Sequence, residues 1–300
     1  MTSLDLPTSG SADVRAMAGI EARRLARHPA FVIGVVLAFL ALGLSFGLND
    51  NPAVTDLLSG LVIGAFFIGL SSLVATARLA RSTESAEEAV GTAPGSQARR
   101  TTALALACLV PFAAGVVWCV VYLALIAQQD TTPQEWWFAT MPDWQVWCLV
   151  VGLGPVSCLG GALLGVVSGR WLHFPGATAV VIVGLAAFEM VLQGVAGEGP
   201  HSWVRLFVPW ASFHTGTNPD GTATLLQGNP AFYLGYQLCL CAAAWLVAVW
   251  RDTTARTPRL RNAIIAVTLV GLCSLGLAMT TGPDHNQTSD PVPWKVDEGA

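Results

Sequence analysis

Seven long runs of apolar residues constrain the fold of this chain more than any other feature of its sequence. An α-helix needs about 20 such residues to cross the hydrocarbon of a bilayer. The runs cover residues 31–48, 53–77, 102–127, 146–168, 176–196, 231–250 and 262–279. Of the 300 residues, 53% are hydrophobic and 11% are charged, which leaves little for a separate soluble domain. The sequence therefore predicts an all-α integral membrane protein, a polytopic bundle of about seven transmembrane helices.

The arginines predict the orientation of these spans, because cytoplasmic loops retain positive charge. They cluster before the first span and in the second, fourth and sixth connections, at Arg15, Arg23, Arg24, Arg27, Arg78, Arg81, Arg99, Arg100, Arg170, Arg251, Arg256, Arg259 and Arg261. Only Arg205 and Lys295 fall on the opposite side. This alternation fits seven crossings of the plasma membrane, with the N-terminus in the cytoplasm and the C-terminus outside.

Three regions follow from this topology. Residues 1–30 form a cytoplasmic N-terminus, in which Val14, Met17, Ile20 and Leu25 share one face of an amphipathic helix suited to the interface. A solvated juxtamembrane helix is the alternative reading. Residues 31–281 form the transmembrane domain, and residues 282–300 form a polar extracytoplasmic tail.

The composition excludes several classes of function. A scattered net charge of -4 gives no groove for nucleic acid. The cysteines fall within apolar runs at no spacing that metal sites use. The motifs HExxH and GxSxG are absent, and no paired carboxylates lie inside the spans. We therefore expect neither a metal site nor a catalytic site in this chain.

The second connection, RSTESAEEAVGTAPGSQARR, contains the most informative local pattern. Ser85 and Glu88 have the spacing of a capping box, and the acidic residues of this stretch favour the start of a helix. Gly91 and Pro94 are typical of a helix end. The pattern predicts a short helix, from Ser82 to Pro94, held between two spans; an ordinary polar loop is the alternative.

The outside segment 197–230 contains the aromatic stretch HSWVRLFVPWASFH. Such a segment can form short helices that dip into the bilayer, provided that protein or water satisfies its backbone. A surface loop that rests on lipid headgroups is the other reading.

Taken together, these features resemble the membrane subunit of type-two ATP-binding-cassette (ABC) permeases of the exporter class. The resemblance is carried by the Glu-x-Arg-Arg sequence at Glu21 to Arg24, by the connection after the second span and by the aromatic segment before the sixth. It covers nearly the whole chain in layout. The seventh span departs from the family, whose members of this size commonly have six spans, so it is expected to be an addition to a six-helix core.

The resemblance implies a role for each part of the chain. The helix after the second span would be a coupling helix that docks on a separate cytoplasmic ABC ATPase. Its contact residues would be Arg81, Ser82, Glu84, Glu87, Glu88 and Pro94. The chain has no Walker A motif, so ATP and Mg would be used by the partner ATPase and this chain would bind no cofactor. A second permease copy or a homologue, and the lipid bilayer, are the other expected partners.

Two polar residues inside the fifth predicted span are candidates for a substrate path. Glu189 is the only carboxylate deep in a predicted span, where an ionisable group is costly. Gln193 lies one turn further on the same face. A neutral, hydrogen-bonded structural carboxyl is the alternative reading of Glu189.

Glycines at four-residue spacing predict close packing of helices. Gly161, Gly165 and Gly169 repeat in this way in the fourth span, and Gly60 and Gly64 in the second. The sequence leaves open whether these faces meet within one chain or between two copies.

Two other function classes compete with an exporter subunit. An ion-coupled carrier would place a binding site at the membrane midplane, commonly between duplicated halves. A polytopic membrane enzyme would need catalytic motifs that the sequence lacks. Lipid, peptide and drug cargo remain equally compatible with the exporter reading.

Overall fold

A computed structural model of the chain describes residues 10–48, 56–90, 97–128, 142–196, 202–211, 213, 224–282 and 287–288. Within these residues, seven helical stretches are long and apolar enough to cross a membrane. The prediction of an all-α polytopic bundle is confirmed, and the chain is a multi-pass membrane protein. The second stretch, Gly60–Ser82, lies several residues later than predicted, and the third, Gln97–Ala127, begins earlier.

The spans are built from α-helices, several of which are joined end to end. The helices are α1 (Gly10–Ala26), α2 (Pro29–Leu48), α3 (Asp56–Gly64), α4 (Leu70–Val90), α5 (Gln97–Ala107), α6 (Leu109–Ala127), α7 (Asp143–Val151), α8 (Ser157–Trp171), α9 (Ala177–Ala196), α10 (Pro230–Trp250) and α11 (Pro258–Thr280). The first span is α2, the second α3 and α4, the third α5 and α6, and the fourth α7 and α8. Helices α9, α10 and α11 are the fifth, sixth and seventh spans.

Short elements complete the described structure. Segments Ser202–Phe207 and Thr253–Ala255 are 3₁₀ helices. Strand β1 (Thr224–Leu225) pairs antiparallel with strand β2 (Gln287–Thr288). We call the end of the bundle that carries α1 the N-terminal side, and the opposite end the far side.

The second and fourth spans form the centre of the bundle. In the fourth span 72% of the apolar window is buried, against 11% in the fifth. Each central span also contains a π-helical turn, at Ala65–Gly69 and at Gly152–Val156. Pro155 lies inside the second of these turns and lacks a backbone N–H, so it cannot continue a regular helix ladder.

Helices α4 and α8 approach each other closely because α8 presents glycines to α4. A Cβ atom added at Gly161 would lie 2.5 Å from the carbonyl oxygen of Gly69, and one at Gly169 would lie 2.7 Å from that of Ala77. Gly165 faces Thr76 and Leu73 in the same interface. The structure thus places the glycine face of the fourth span against the second span of the same chain.

A polar bond reinforces this apolar interface. The hydroxyl of Thr76 donates a hydrogen bond of 2.7 Å to the carbonyl oxygen of Ala162, and both residues are buried. Interhelical bonds of this kind add to packing in a membrane, where water does not compete for the carbonyl. Helices α4 and α8 therefore form a tightly joined pair.

Gly60 and Gly64 contact the third span. Gly60 faces Tyr122, and a Cβ atom at Gly64 would lie 2.7 Å from the Trp118 ring. The Trp118 and Tyr122 rings stack with centroids 5.1 Å apart. The indole Nε1 of Trp118 donates to the carbonyl oxygen of Ala38 in the first span at 3.1 Å. These two glycines let the second span seat two aromatic rings of the third.

The predicted short helix after the second span is instead the end of a longer one. Helix α4 runs without a break from Leu70 to Val90, so Ser85 does not begin a new helix. The capping pattern is overridden because the preceding residues are already helical and packed on α8, which makes continuation favourable.

On the N-terminal side, α1 packs against α5 and is tied to the end of α4. Arg24 forms an ion pair of 2.8 Å with Glu21, and its other guanidinium nitrogen donates to the Ser82 hydroxyl at 3.3 Å. Leu25 is buried, whereas Ile20 is 60% exposed. The Glu-x-Arg-Arg sequence therefore contacts the last residue of the second span, Ser82.

Asp252, in the connection between the sixth and seventh spans, caps a distant helix. Its carboxylate accepts a 2.8 Å hydrogen bond from the backbone N–H of Ala98, in the first turn of α5. It also accepts from the hydroxyl of Thr254 at 2.7 Å. Burial raises the pKa of Asp252, but hydrogen bonds from Thr254, Ala98 and Ala255 outweigh burial, so the pKa lies below its usual value.

We expect Asp252→Ala to lower the stability of the protein by about 1 kcal/mol, the usual cost of a lost helix cap. Because the folded-state pKa is lowered, this stabilisation is complete above the ordinary pKa of 3.8 and is lost as the pH falls through the folded value. Thermal unfolding of both proteins between pH 7 and about pH 3 checks this. The two curves should converge in acid, and Asp252→Asn, which does not titrate there, should lack this pH dependence. A constant difference across the range would contradict the account.

Candidate functional site

A cavity lies between the fourth, fifth and sixth spans. Its volume is about 470 Å³. Segment 202–211 covers it on the far side, and we call this segment the roof. The lining residues are Val156, Ser157, Gly160, Gly161, Leu164, Leu185, Phe188, Phe207, Pro209, Trp210, Tyr236, Gln237, Leu240, Cys241 and Ala244.

Small residues leave this space open. A Cβ atom added at Gly160 would meet only the Cys241 sulfur, at 3.6 Å, so the glycine leaves room in the cavity. Ala244, Ser157 and Gly161 contribute little more volume at neighbouring positions. Gly161, which also lines the cavity, allows the close approach of the second span at Gly69.

The mouth of the cavity is formed by exposed apolar side chains. Phe188 is 46% exposed, Phe207 41% and Leu240 38%. Phe188 and Leu240 belong to spanning helices, so their exposed faces lie at membrane depth. The cavity therefore opens sideways toward the hydrocarbon and not along the bundle axis.

The sixth span holds the roof through its tyrosines. The buried hydroxyl of Tyr233 donates to the carbonyl oxygen of Val208 at 2.6 Å and accepts from the N–H of Ala211 at 2.8 Å. Tyr236 donates to the carbonyl oxygen of Phe207 at 3.2 Å. These bonds satisfy backbone groups that would otherwise be unpaired in an apolar setting.

Gln237 joins the roof to the fourth span. Its Nε2 donates to the carbonyl oxygen of Pro209 at 2.7 Å. Its Oε1 is buried without a hydrogen-bond partner among the described residues and lies against Gly152, where a Cβ atom would approach to 2.5 Å. Glycine is therefore required at position 152 as long as Gln237 keeps this orientation.

Glu189 and Gln193 hold the roof from the fifth span. Glu189 accepts hydrogen bonds from Gln193 Nε2 at 2.8 Å and from the N–H of Trp210 at 3.1 Å. Gln193 also donates to the carbonyl oxygen of Trp210 at 3.2 Å. The two substrate-path candidates thus meet at the far-side edge of the cavity and contact Trp210, which lines it, although neither residue lines it itself.

Arg205 stabilises the roof from within. It is 2% exposed, donates to the carbonyl oxygen of Gln227 and lies 5.5 Å from the centroid of the Phe213 ring. Burial lowers the pKa of Arg205 to about 10, with a smaller opposing effect from Tyr233, so the guanidinium remains charged at neutral pH. The described part of the aromatic segment therefore packs against the fifth and sixth spans.

The structure separates the predicted coupling residues from this cavity. Arg81 and Ser82 lie in the C-terminal half of α4, at the N-terminal side of the bundle. Glu84, Glu87 and Glu88 belong to the last turns of α4, but their side chains lie outside the described structure, as does Pro94 altogether. A groove of about 250 Å³ lies beside Ser82 and is lined by Met17, Ile20, Glu21, Arg24, Ser82, Arg100 and Ala103.

Sequence reasoning missed most of the cavity wall. Ser157, Gly160, Tyr236 and Ala244 carry no motif, and their common property is a position on helix faces that turn toward one another in space. In the described part of the chain, no group of His, Cys, Asp and Glu residues is arranged to hold a metal ion.

Comparisons of the chain with protein-family models, with curated proteins and with solved structures give no match.

Proposed function

We propose that the chain is the membrane permease subunit of an ATP-driven ABC exporter. It would pair with a second permease copy or a homologue, and with cytoplasmic ABC ATPase subunits that use ATP and Mg. It would lie in the plasma membrane with the N-terminus in the cytoplasm. The positive-inside distribution of arginines supports this orientation.

The observation that carries the proposal is a continuous path of packed helices from the N-terminal side of the bundle to the lateral cavity. Helix α4 extends from the centre of the second span to the acidic segment at Val90. It is joined to α8 by the glycine contacts and by the Thr76–Ala162 hydrogen bond. Helix α8 in turn lines the lateral cavity. A partner that displaces the end of α4 would therefore move a wall of the cavity, since packed helices shift as units.

Two further features support an exporter subunit. The groove beside Ser82, between α1, α4 and α5, offers a contact surface next to the acidic end of α4. The seventh span packs mainly on α10, where a Cβ atom at Gly271 would lie 3.1 Å from Cys239, and 17% of its apolar window is buried. Its peripheral position is compatible with an addition to a six-helix core.

The test is association with an ATPase. We expect the tagged chain, purified from its native membrane, to bring an ABC ATPase with it, and Glu87→Lys with Glu88→Lys to reduce the bound ATPase more than about tenfold, since reversed charges at an interface cost several kcal/mol. Quantitative mass spectrometry of the purified complex measures this.

Asp13→Lys is the matched control, because Asp13 is an exposed acid on the N-terminal side of the bundle. It should retain the ATPase. Equal recovery of the ATPase with both variants, or a reporter fusion that places residues 84–94 outside the cell, would refute the coupling role.

An ion-coupled carrier is the second candidate, and Glu189 is the observation that favours it. A buried carboxyl beside the cavity is a possible proton-binding group in a membrane protein. Uptake or efflux in proteoliposomes separates the two functions. Transport driven by a proton gradient in the absence of ATP, and abolished by Glu189→Gln, would establish the carrier and exclude the exporter.

A further inference from the structure

The lateral cavity is a slot that runs along the bundle axis. On α10 its lining extends from Tyr236 to Ala244, and on α8 from Ser157 to Leu164. At a rise of 1.5 Å per residue, the α10 wall is about 12 Å long and the α8 wall about 10 Å. Such a length is a large part of one bilayer leaflet, whose hydrocarbon is about 15 Å thick. The slot is therefore shaped for an extended molecule that lies parallel to the bilayer normal.

The two ends of the slot differ in polarity. At the roof end lie the phenol of Tyr236, the backbone of Pro209 and Trp210, and the nearby Glu189 and Gln193 side chains. Toward the N-terminal side the lining consists of Leu164, Leu240, Cys241 and Ala244 together with Gly160 and Gly161. A ligand that matches both ends must have a polar head and an apolar chain.

The slot cannot be filled with water at low cost. Besides Tyr236 and Gln237 at the roof end, the lining carries few polar side chains. The Ser157 hydroxyl already donates to the carbonyl oxygen of Gly152 at 2.7 Å, and the Cys241 thiol donates to that of Val156 at 4.0 Å. A water molecule in such a site would lack the partners that it needs. The exposed rings of Phe188 and Phe207 lie at the mouth, where hydrocarbon chains of the bilayer have direct access.

We propose that the slot binds the hydrocarbon chain of a single-chain amphiphile that enters sideways from the far-side leaflet, with its polar head at the roof. Two-chain lipids would fit only by placing one chain in the slot and leaving the other in the bilayer. The inference rests on the proposed function in one respect, because such an amphiphile would be the substrate class of the exporter. Binding itself requires no ATPase, so the two proposals fail independently.

Photolabelling of the purified full-length chain in phosphatidylcholine nanodiscs tests the binding. The photoprobe is a lysophosphatidylcholine with a diazirine in the middle of its chain, added at trace concentration. We expect the label on peptides of α8 and α10 that line the slot. Competition by unlabelled lysophosphatidylcholine should strengthen with chain length and level off once the chain exceeds the slot, at about 12 Å.

Gly160→Leu is the decisive variant, because a Cβ atom at this lining position would contact only the Cys241 sulfur, at 3.6 Å, and the rest of the leucine side chain would occupy the slot. It should reduce labelling of α8 and α10 about tenfold, since a leucine displaces several chain carbons from apolar contact. Gly276→Leu is the matched control, since nothing lies within 4 Å of a Cβ atom at that position in α11. It should label like the unaltered protein.

If Gly160→Leu does not fold, as judged by size-exclusion chromatography, Leu164→Trp fills the same slot from the next turn of α8. Labelling spread over all lipid-facing helices, or equal labelling of the slot variant and the Gly276→Leu control, would overturn the proposal. If a second copy of the chain covers the slot, labelling will appear only in nanodiscs that hold one copy. That result would also overturn the proposal.

Discussion

Gly161→Ala should destabilise the protein by about 1–3 kcal/mol, the usual cost of overpacking a close contact. The added Cβ atom would lie 2.5 Å from the carbonyl oxygen of Gly69 and 3.0 Å from its Cα atom. Both atoms belong to the backbone, so no side-chain rotation can relieve the clash. The α4 and α8 helices would have to separate, which would also weaken the Thr76–Ala162 hydrogen bond.

The sign of this effect is more informative than its size. Replacing glycine by alanine inside a helix is normally favourable by up to about 1 kcal/mol, because alanine has the higher helix propensity. Gly276→Ala, in open space on α11, should therefore leave stability unchanged or raise it slightly. Thermal unfolding followed by tryptophan fluorescence in one detergent measures both variants. Equal midpoints for the two variants would show that α8 does not pack on α4 through this face.

Tyr233→Phe should lower stability by about 2–5 kcal/mol. Its hydroxyl is the donor to Val208 and the acceptor for Ala211, and the phenol is 2% exposed. Removal of one oxygen leaves two buried backbone groups of the roof unpaired, each at a cost of about 1–3 kcal/mol. The roof would detach from the sixth span before the bundle itself unfolds.

Tyr236→Phe provides the matched control on the next turn of the same helix. Its hydroxyl makes one bond, to the carbonyl oxygen of Phe207, at a more exposed position. We expect its loss to cost about 1 kcal/mol or less. Hydrogen exchange of the peptide that contains residues 202–211 measures roof opening directly. Equal protection in both variants would show that Tyr233 does not anchor the roof.

Local sequence predicted some features of the fold correctly and others wrongly, and helix α4 shows one of each. Its apolar portion was predicted from hydropathy alone. The capping pattern at Ser85 and Glu88 predicted a new helix, yet the chain continues the existing one to Val90. A capping box contributes about 1 kcal/mol, which is less than the advantage of propagating a helix already packed along its length.

Glu189 illustrates the same limit of local sequence inside the membrane. Its position deep in a predicted span indicated that this carboxylate needs partners, because an ionisable group at that depth is costly. The partners themselves, Gln193 and the backbone of Trp210, include one residue on the same helix face and one from the roof. Only the first could be predicted from helical periodicity.

The sequence by itself determined the number of spans and the glycine faces suited to close contact. Both depend on properties that are local to each segment, namely apolar length and the absence of a side chain at regular intervals. The tertiary structure alone decided which helices meet, where the roof lies and that a slot remains between α8, α9 and α10. These features depend on contacts between residues far apart in the chain, such as Thr76 and Ala162, and the physical reason is that small residues permit approach but do not select a partner.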